Sequence, residues 1–324
     1  MPAVATHYAF ADKFAREEPR AFADAMYLGA QGPDPLFLYG IRFPKRKNPK
    51  PIQNFGTGLH HTDIAPIYKY FFEYANQSEQ KDLLYSYIEG LFLHYVVDRN
   101  CHPYIFVKSG CPIEGLEEDI KWGGYHANFE GWIDFLVAKE YGVHRNNTPR
   151  YMDIDKEELR AISAMWDYVN KKTWDSDGFN ADSYRLAVKD YRYVLRLCNR
   201  PHYFSGWWIR AILGKWSIPY GLHMQSKMRK EFADLDFLNL KHAPWPDFAT
   251  GEMHTESFYD LFDKALADYK EAVAIIDAAK NGENIDERLS AFVGKKDHDG
   301  AVDGTPKRFR DPIWPEMESY RILP

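Results

Sequence analysis

Between Leu91 and Tyr104 the chain reads LFLHYVVDRNCHPY, an apolar run in which His94, Asp98 and His102 recur at every fourth position. Residues four apart stand one above another on an α-helix, so these three share a face. Leu91, Phe92, Leu93, Val96 and Val97 surround them, which predicts a helix buried on most sides. A carboxylate left unpaired there would cost several kcal/mol or give up its charge. The stretch therefore needs a compensating partner. The candidates are a buried His–Asp hydrogen bond and a metal ion held jointly by imidazole and carboxylate.

The rest of the chain is also predicted to be helical. Segments at residues 7–19, 20–30, 64–77, 79–102, 155–172, 181–201 and 255–282 carry apolar residues at three- and four-residue spacing, and few segments alternate with period two. The fold class expected is all-α, a single multi-helix domain over residues 1–292, followed by an irregular tail over residues 293–324. Pro103 is expected to stop the long helix. Asp155, with Glu158 three residues on, has the spacing of a capping box. Phe43–Gly58, rich in proline and lysine, reads as a loop.

Composition excludes several classes. The net charge of −6 argues against a protein that relies on a broad basic surface for nucleic acid, so no stable nucleic-acid partner is expected. Three cysteines (Cys101, Cys111 and Cys198) form neither a CxxC pair nor a disulfide framework. No apolar stretch reaches the ~18 residues of a transmembrane helix, and the first residues lack the pattern of a signal peptide. The expected setting is cytoplasmic.

Five stretches carry residues capable of metal chemistry. They are THYAF with His7, GAQGPDPLF with Asp34, GTGLHHTD with His60 and His61, LHYVVDRNCH with His94, Asp98 and His102, and YHANFEGWID with His126, Glu130 and Asp134. Two contain H-x-x-x-D/E pairs, which on a helix let both side chains reach one ion from adjacent turns. Mixed imidazole and carboxylate donors suit zinc. Taken singly, each stretch also has a plainer reading: a solvated helix face for the pairs, a core or cap histidine for His7, a turn aspartate for Asp34. Other metal templates fit poorly. H-E-x-x-H is absent, ferritin-like sites use a three-residue E-x-x-H spacing, and an adjacent His-Asp occurs only at His298–Asp299, which reads as solvated.

In order and residue type the five stretches resemble the zinc-dependent phospholipase C superfamily, over roughly the first 135 residues. That superfamily includes bacterial phosphatidylcholine-hydrolysing enzymes, the catalytic domain of clostridial alpha-toxin and, more distantly, fungal single-strand nucleases. The resemblance implies an all-α fold with two to three Zn2+ ions. Carried over by position, Asp34, His60, His94 and Asp98 would hold one ion, and His102, His126 and Glu130 a second. His7, with Asp98 bridging, would help hold a third. His61 competes with His60 for its role. Secreted members use an N-terminal tryptophan at the third ion. This chain begins Met1-Pro2, and removal of Met1 would offer the Pro2 imino group instead. The Asp98–His102 gap is also shorter than in those enzymes.

The implied activity is hydrolysis of a phosphodiester by metal-activated water, with Asp34 orienting the water or accepting its proton. The expected substrate is a small phosphoester or a phospholipid headgroup. The alternatives are a nuclease or nucleotidase on the same tri-metal site and a non-catalytic helical metal-binding protein. Trp207, Trp208 and Trp216 either line a choline or lipid pocket or pack in a core helix. The basic stretch from Pro44 to Pro51 either steers phosphate or is a solvated loop. His223 and His254 are read as structural.

Overall fold

The structure is a computed structural model and describes residues 4–42, 48–109, 119–143, 145–198 and 235–302. It is all-α. The described residues form ten α-helices, two 3-10 segments and one two-stranded sheet. Helix α5 (Lys81–Ser109) is the axis of the molecule. It is apolar nearly all round, and its neighbours cover it on most sides: α1 (Val4–Glu17), α2 (Ala23–Gly29), α4 (Ala65–Asn76), α6 (Asp119–Glu140), α7 (Lys156–Lys172) and α9 (Phe258–Lys280). Helices α3 (Lys50–His60), α8 (Ser183–Cys198) and α10 (Asp286–Val293) complete the set. Among the described residues no helix is long and apolar enough to cross a membrane.

The α2–α5 crossing is backbone against backbone, because Gly29 and Gly90 face each other and a methyl on Gly90 would stand 2.2 Å from the Met26 carbonyl oxygen. Arg99 of α5 ties down two helices, donating to Asp268 of α9 at 2.7 Å and to the Phe292 carbonyl of α10 at 2.9 Å. The short strands β1 (Trp245–Pro246) and β2 (Met253–His254) pair antiparallel and set Trp245 against Tyr104 of α5.

Two sequence expectations are corrected. Helix α5 does not stop at Pro103 but runs through it to Ser109. The proline removes one N–H and frees the Arg99 carbonyl, and burial of Ile105, Phe106 and Val107 outweighs that loss. Nor is Phe43–Gly58 a loop throughout: α3 begins at Lys50, with Pro51 in its first turn, where a missing N–H leaves no bond unmade. Asp155 does cap α7, its side chain accepting from the Glu157 N–H. A reciprocal capping box instead opens α9, between Ser257 and Asp260.

Candidate metal centre

Five separate segments deliver the chemistry-bearing residues to one buried region. Helix α1 carries His7, the 3-10 turn Asp34–Leu38 carries Asp34, and the last residue of α3 is His60. Helix α5 contributes His94, Asp98 and His102 from successive turns, and α6 contributes His126 and Glu130. They gather as three groups: His7 with His94 and Asp98, Asp34 with His60 and His94, and His102 with His126 and Glu130. Within each group the donor atoms lie within 4.8 Å of one another. The first two groups share His94, so α5 is the seam of the whole arrangement.

Hydrogen bonding at Nδ1 fixes the direction of four of the five rings. His60 Nδ1 lies 2.9 Å from the Gly56 carbonyl, His94 Nδ1 3.2 Å from the Ala30 carbonyl, and His102 Nδ1 2.7 Å from the His298 carbonyl. A carbonyl only accepts, so each Nδ1 carries the hydrogen. Ser109 donates its hydroxyl hydrogen to Ile105 O at 2.7 Å, leaving its oxygen to accept from His126 Nδ1 at 3.4 Å. In the neutral rings every Nε2 is therefore a lone pair, and each points at a carboxylate oxygen. The separations are 3.3 Å for His60–Asp34, 3.7 Å for His94–Asp34, 3.1 Å for His94–Asp98, 3.4 Å for His102–Glu130 and 2.8 Å for His126–Glu130. His7 Nε2 stands 3.3 Å from the other Asp98 oxygen.

Lone pair facing lone pair is repulsive unless a positive charge stands between them. Two distances discriminate between the possible charges. A charge-assisted N–H···O bond spans about 2.7–2.9 Å. Donors on a tetrahedral ion with bonds of about 2.0–2.2 Å lie about 3.3–3.6 Å apart. Three of the six separations, His60–Asp34, His102–Glu130 and His7–Asp98, match the second figure, and only His126–Glu130 falls within the first. Both His7 nitrogens, both Asp98 oxygens, Asp34 Oδ1 and the Nε2 atoms of His60, His94 and His102 are buried without a hydrogen-bond partner among the described residues. Buried polar atoms are seldom left so. The donor set fits divalent metal ions.

The electrostatics are consistent with this. Burial and the neighbouring His94 push the His7 pKa down, and burial takes His102 down to about 4, so both rings are neutral and available to bind. Burial also acts against a charge on His94, but Asp98 and Asp34 outweigh it and raise its pKa. Burial would raise the Asp98 carboxyl, yet the neighbouring His94, His102 and His7 hold it well below the usual carboxylate range. The region draws in positive charge, and protons and metal ions compete for it.

Gly32 makes the inner part possible. Its φ of +54° belongs to the left-handed region, and a methyl there would stand 2.3 Å from His94 Cδ2. Asp134 is not part of the groups. It accepts from Thr6 N at 2.7 Å and from Thr6 Oγ1 at 3.0 Å, capping α1 one residue before His7, and burial pushes its carboxyl up to about 6.

His60 and His61 diverge. His60 is buried with Asp34 and His94, whereas His61 is half exposed, 3.1 Å from Asp299. His61 forms a fourth group with Asp297 and Asp299. The expectation that His298–Asp299 is solvated is wrong: His298 is only 2% exposed and Asp299 4%. The His298 ring lies 4.8 Å from that of His60 and 5.5 Å from that of His94. Sequence reasoning missed this segment, although the density of ligand-type residues in DHDG was a signal. The carbonyls of Ala30, Gly56 and His298 leave no signal in a sequence. His254 stacks on Trp245 at the small sheet, 4.7 Å away. Pro2, Cys111, His223, residues 44–47 of the basic stretch and the tryptophans 207, 208 and 216 lie outside the described residues.

Compared with protein-family models, curated proteins and solved structures, the chain matches none of them. The fold and the site together define an all-α protein with buried histidine–carboxylate clusters able to hold metal ions.

Proposed function

We propose that the chain is a zinc-dependent phosphoester hydrolase of phospholipase C type. One observation carries this reading: the ordered set His7, Asp34, His60, His94, Asp98, His102, His126 and Glu130, spread over five segments, gathers into three adjoining His/carboxylate groups. Nitrogen and carboxylate donors in roughly tetrahedral spacing favour zinc over the oxygen-seeking ions. Adjoining ions suit phosphoryl transfer better than most other chemistry, because both the attacking and the leaving oxygen need stabilising.

When bound, zinc would polarise the phosphoryl oxygens and make water acidic enough to attack at neutral pH. The chain's own residues do the rest. His60 and His94 hold Asp34 at the junction of the two inner groups, where its carboxylate orients the attacking water or accepts its proton. Asp98 lies between His7 and His94 and turns one carboxylate oxygen toward each. His102, His126 and Glu130 form the outer group, with His126 at 18% side-chain exposure the member nearest solvent. A small phosphoester or a phospholipid headgroup would enter from that side.

Protein purified without chelator should carry about two to three zinc ions per chain. It should hydrolyse at least one of phosphatidylcholine, soluble phosphodiesters, nucleotides and single-stranded DNA, lose that activity on chelation and regain it with zinc. Preference for DNA or nucleotides would move the assignment to a nuclease or nucleotidase. Full metal with no turnover on the whole panel would leave a metal-binding protein. A metal-free protein would overturn the reading.

A further inference from the structure

The segment from Lys296 to Val302 closes on itself and on the candidate centre. Lys296 and Val302 form an antiparallel bridge, and the Asp297 N–H donates to the Ala301 carbonyl at 2.9 Å. Asp297 Oδ1 accepts from Asp299 N at 2.9 Å and from Ala301 N at 3.1 Å. Three outward groups of this knot end on histidines. The His298 N–H donates to the His60 carbonyl at 3.3 Å, the His298 carbonyl accepts from His102 Nδ1 at 2.7 Å, and Asp299 Oδ2 stands 3.1 Å from His61 Nδ1. The loop thus staples the end of α3 to the middle of α5.

Gly300 sets how deeply the loop sits. Its φ is +79°, and a methyl on it would stand 2.4 Å from the Arg99 carbonyl oxygen and 2.9 Å from Pro103 Cγ. Pro103 is the residue whose missing N–H frees that carbonyl. Two residues that look like breakers in the sequence meet here, and the glycine fits against the turn that the proline loosens.

We infer that the Asp297–Ala301 loop is a positioning element of the metal centre: the main chain at His298 sets the tautomer of His102 and aims its Nε2 at Glu130, and an ion on His102, His126 and Glu130 holds the loop in place in return. The inference rests on the metal reading of the site and not on catalysis. Groups that orient a ligating imidazole are typically worth about 10–100-fold in metal affinity, and the coupling is reciprocal because it is thermodynamic.

The test uses zinc alone and the full chain. Gly300→Val should weaken one zinc by roughly 10–100-fold and leave the others in place. Gly282→Val is the control: φ there is +80°, so the backbone strain is similar, but the added side chain meets open space. It should bind zinc like the wild type. Equal zinc affinity in the two variants would overturn the inference. Hydrogen exchange on the wild type supplies a second measurement that does not depend on a variant folding. The amides of His298–Ala301 and the Nδ1–H of His102 should be protected with zinc and exchange faster after chelation. Identical exchange in the two states would overturn the inference while leaving the metal reading intact. A wild type that takes up no zinc would sink the metal reading, and the loop's role with it.

Discussion

Two helices of this protein carry the same motif in different settings. His94-x-x-x-Asp98 on α5 and His126-x-x-x-Glu130 on α6 both place an imidazole above a carboxylate one turn away. The α5 pair is at 0% exposure, stacked on His7 at 4.3 Å between centroids, and its ring is wedged against Gly32. The α6 pair is nearer the surface, and the Nδ1 of its histidine meets a serine hydroxyl rather than a carbonyl. The same spacing thus yields a rigid inner seam and a more accessible outer arm. Dielectric and packing, not spacing, make the difference.

The largest expected effect breaks the inner pair. His94→Ala removes the member shared by two groups and leaves buried Asp34 with His60 alone and buried Asp98 with His7 alone. It should lose the inner metal and destabilise the fold by about 3–5 kcal/mol. Glu130→Ala should lose one ion and cost only about 1–2 kcal/mol. Elemental analysis and denaturant titration of both variants check the contrast. Equal losses would show that the two pairs are equivalent after all.

Gly32→Ala comes next. It tests whether the inner seam depends on backbone shape. The left-handed φ and the contact with the His94 ring predict a destabilisation of about 2–4 kcal/mol and weaker inner metal binding, with the outer ion retained. A variant as stable as wild type, with all its metal, would mean that His94 can shift freely.

Acidification sharpens the comparison. The lowered pKa values of His7, His102 and His298 mean that the unfolded chain binds protons more readily than the folded one as pH falls below about 6.5. Chelated protein should therefore lose stability on acidification, with about 3 kcal/mol from His102 alone between pH 6.5 and 4. His94 acts in the opposite sense, because its raised pKa gives stability that is present below the unfolded value and fades as pH rises through the folded one. Protons consequently compete with metal more strongly at the inner groups. Zinc titrated at pH 6.5 in two buffers should release more protons from the inner groups than from the outer one.

Asp134→Asn probes a buried carboxylate outside the metal groups. The Asp134 carboxyl, pushed up to about 6, makes the wild type less stable as pH rises from about 4 through 6. Asparagine keeps an acceptor for Thr6 and should flatten that part of the profile. A profile identical to wild type would place the titration elsewhere.

Helical periodicity made the all-α class and the two H-x-x-x-D/E pairs legible, because a helix repeats over four residues whatever surrounds it. Local rules failed where packing over long sequence distances decides. Pro103 looked like a stop because the rule for proline does not include the buried residues beyond it. The prolines and lysines of Phe43–Gly58 suggested a loop, although proline is welcome in a helix's first turn. His298 and Asp299 read as solvated because the surface that buries them belongs to residues about two hundred positions earlier in the chain. His60 and His61 could not be told apart, since only the end of α3 determines which ring turns inward.

What the sequence determined by itself was a chain of helices with metal-type side chains stacked at four-residue intervals, since both follow from residue type and local geometry. Only the tertiary structure decided which of those side chains share a centre, which ring nitrogen faces inward, and that a glycine near residue 300 packs against a proline near residue 100. Those outcomes depend on the carbonyls and close contacts that distant segments present to one another, and a carbonyl has no letter in the sequence.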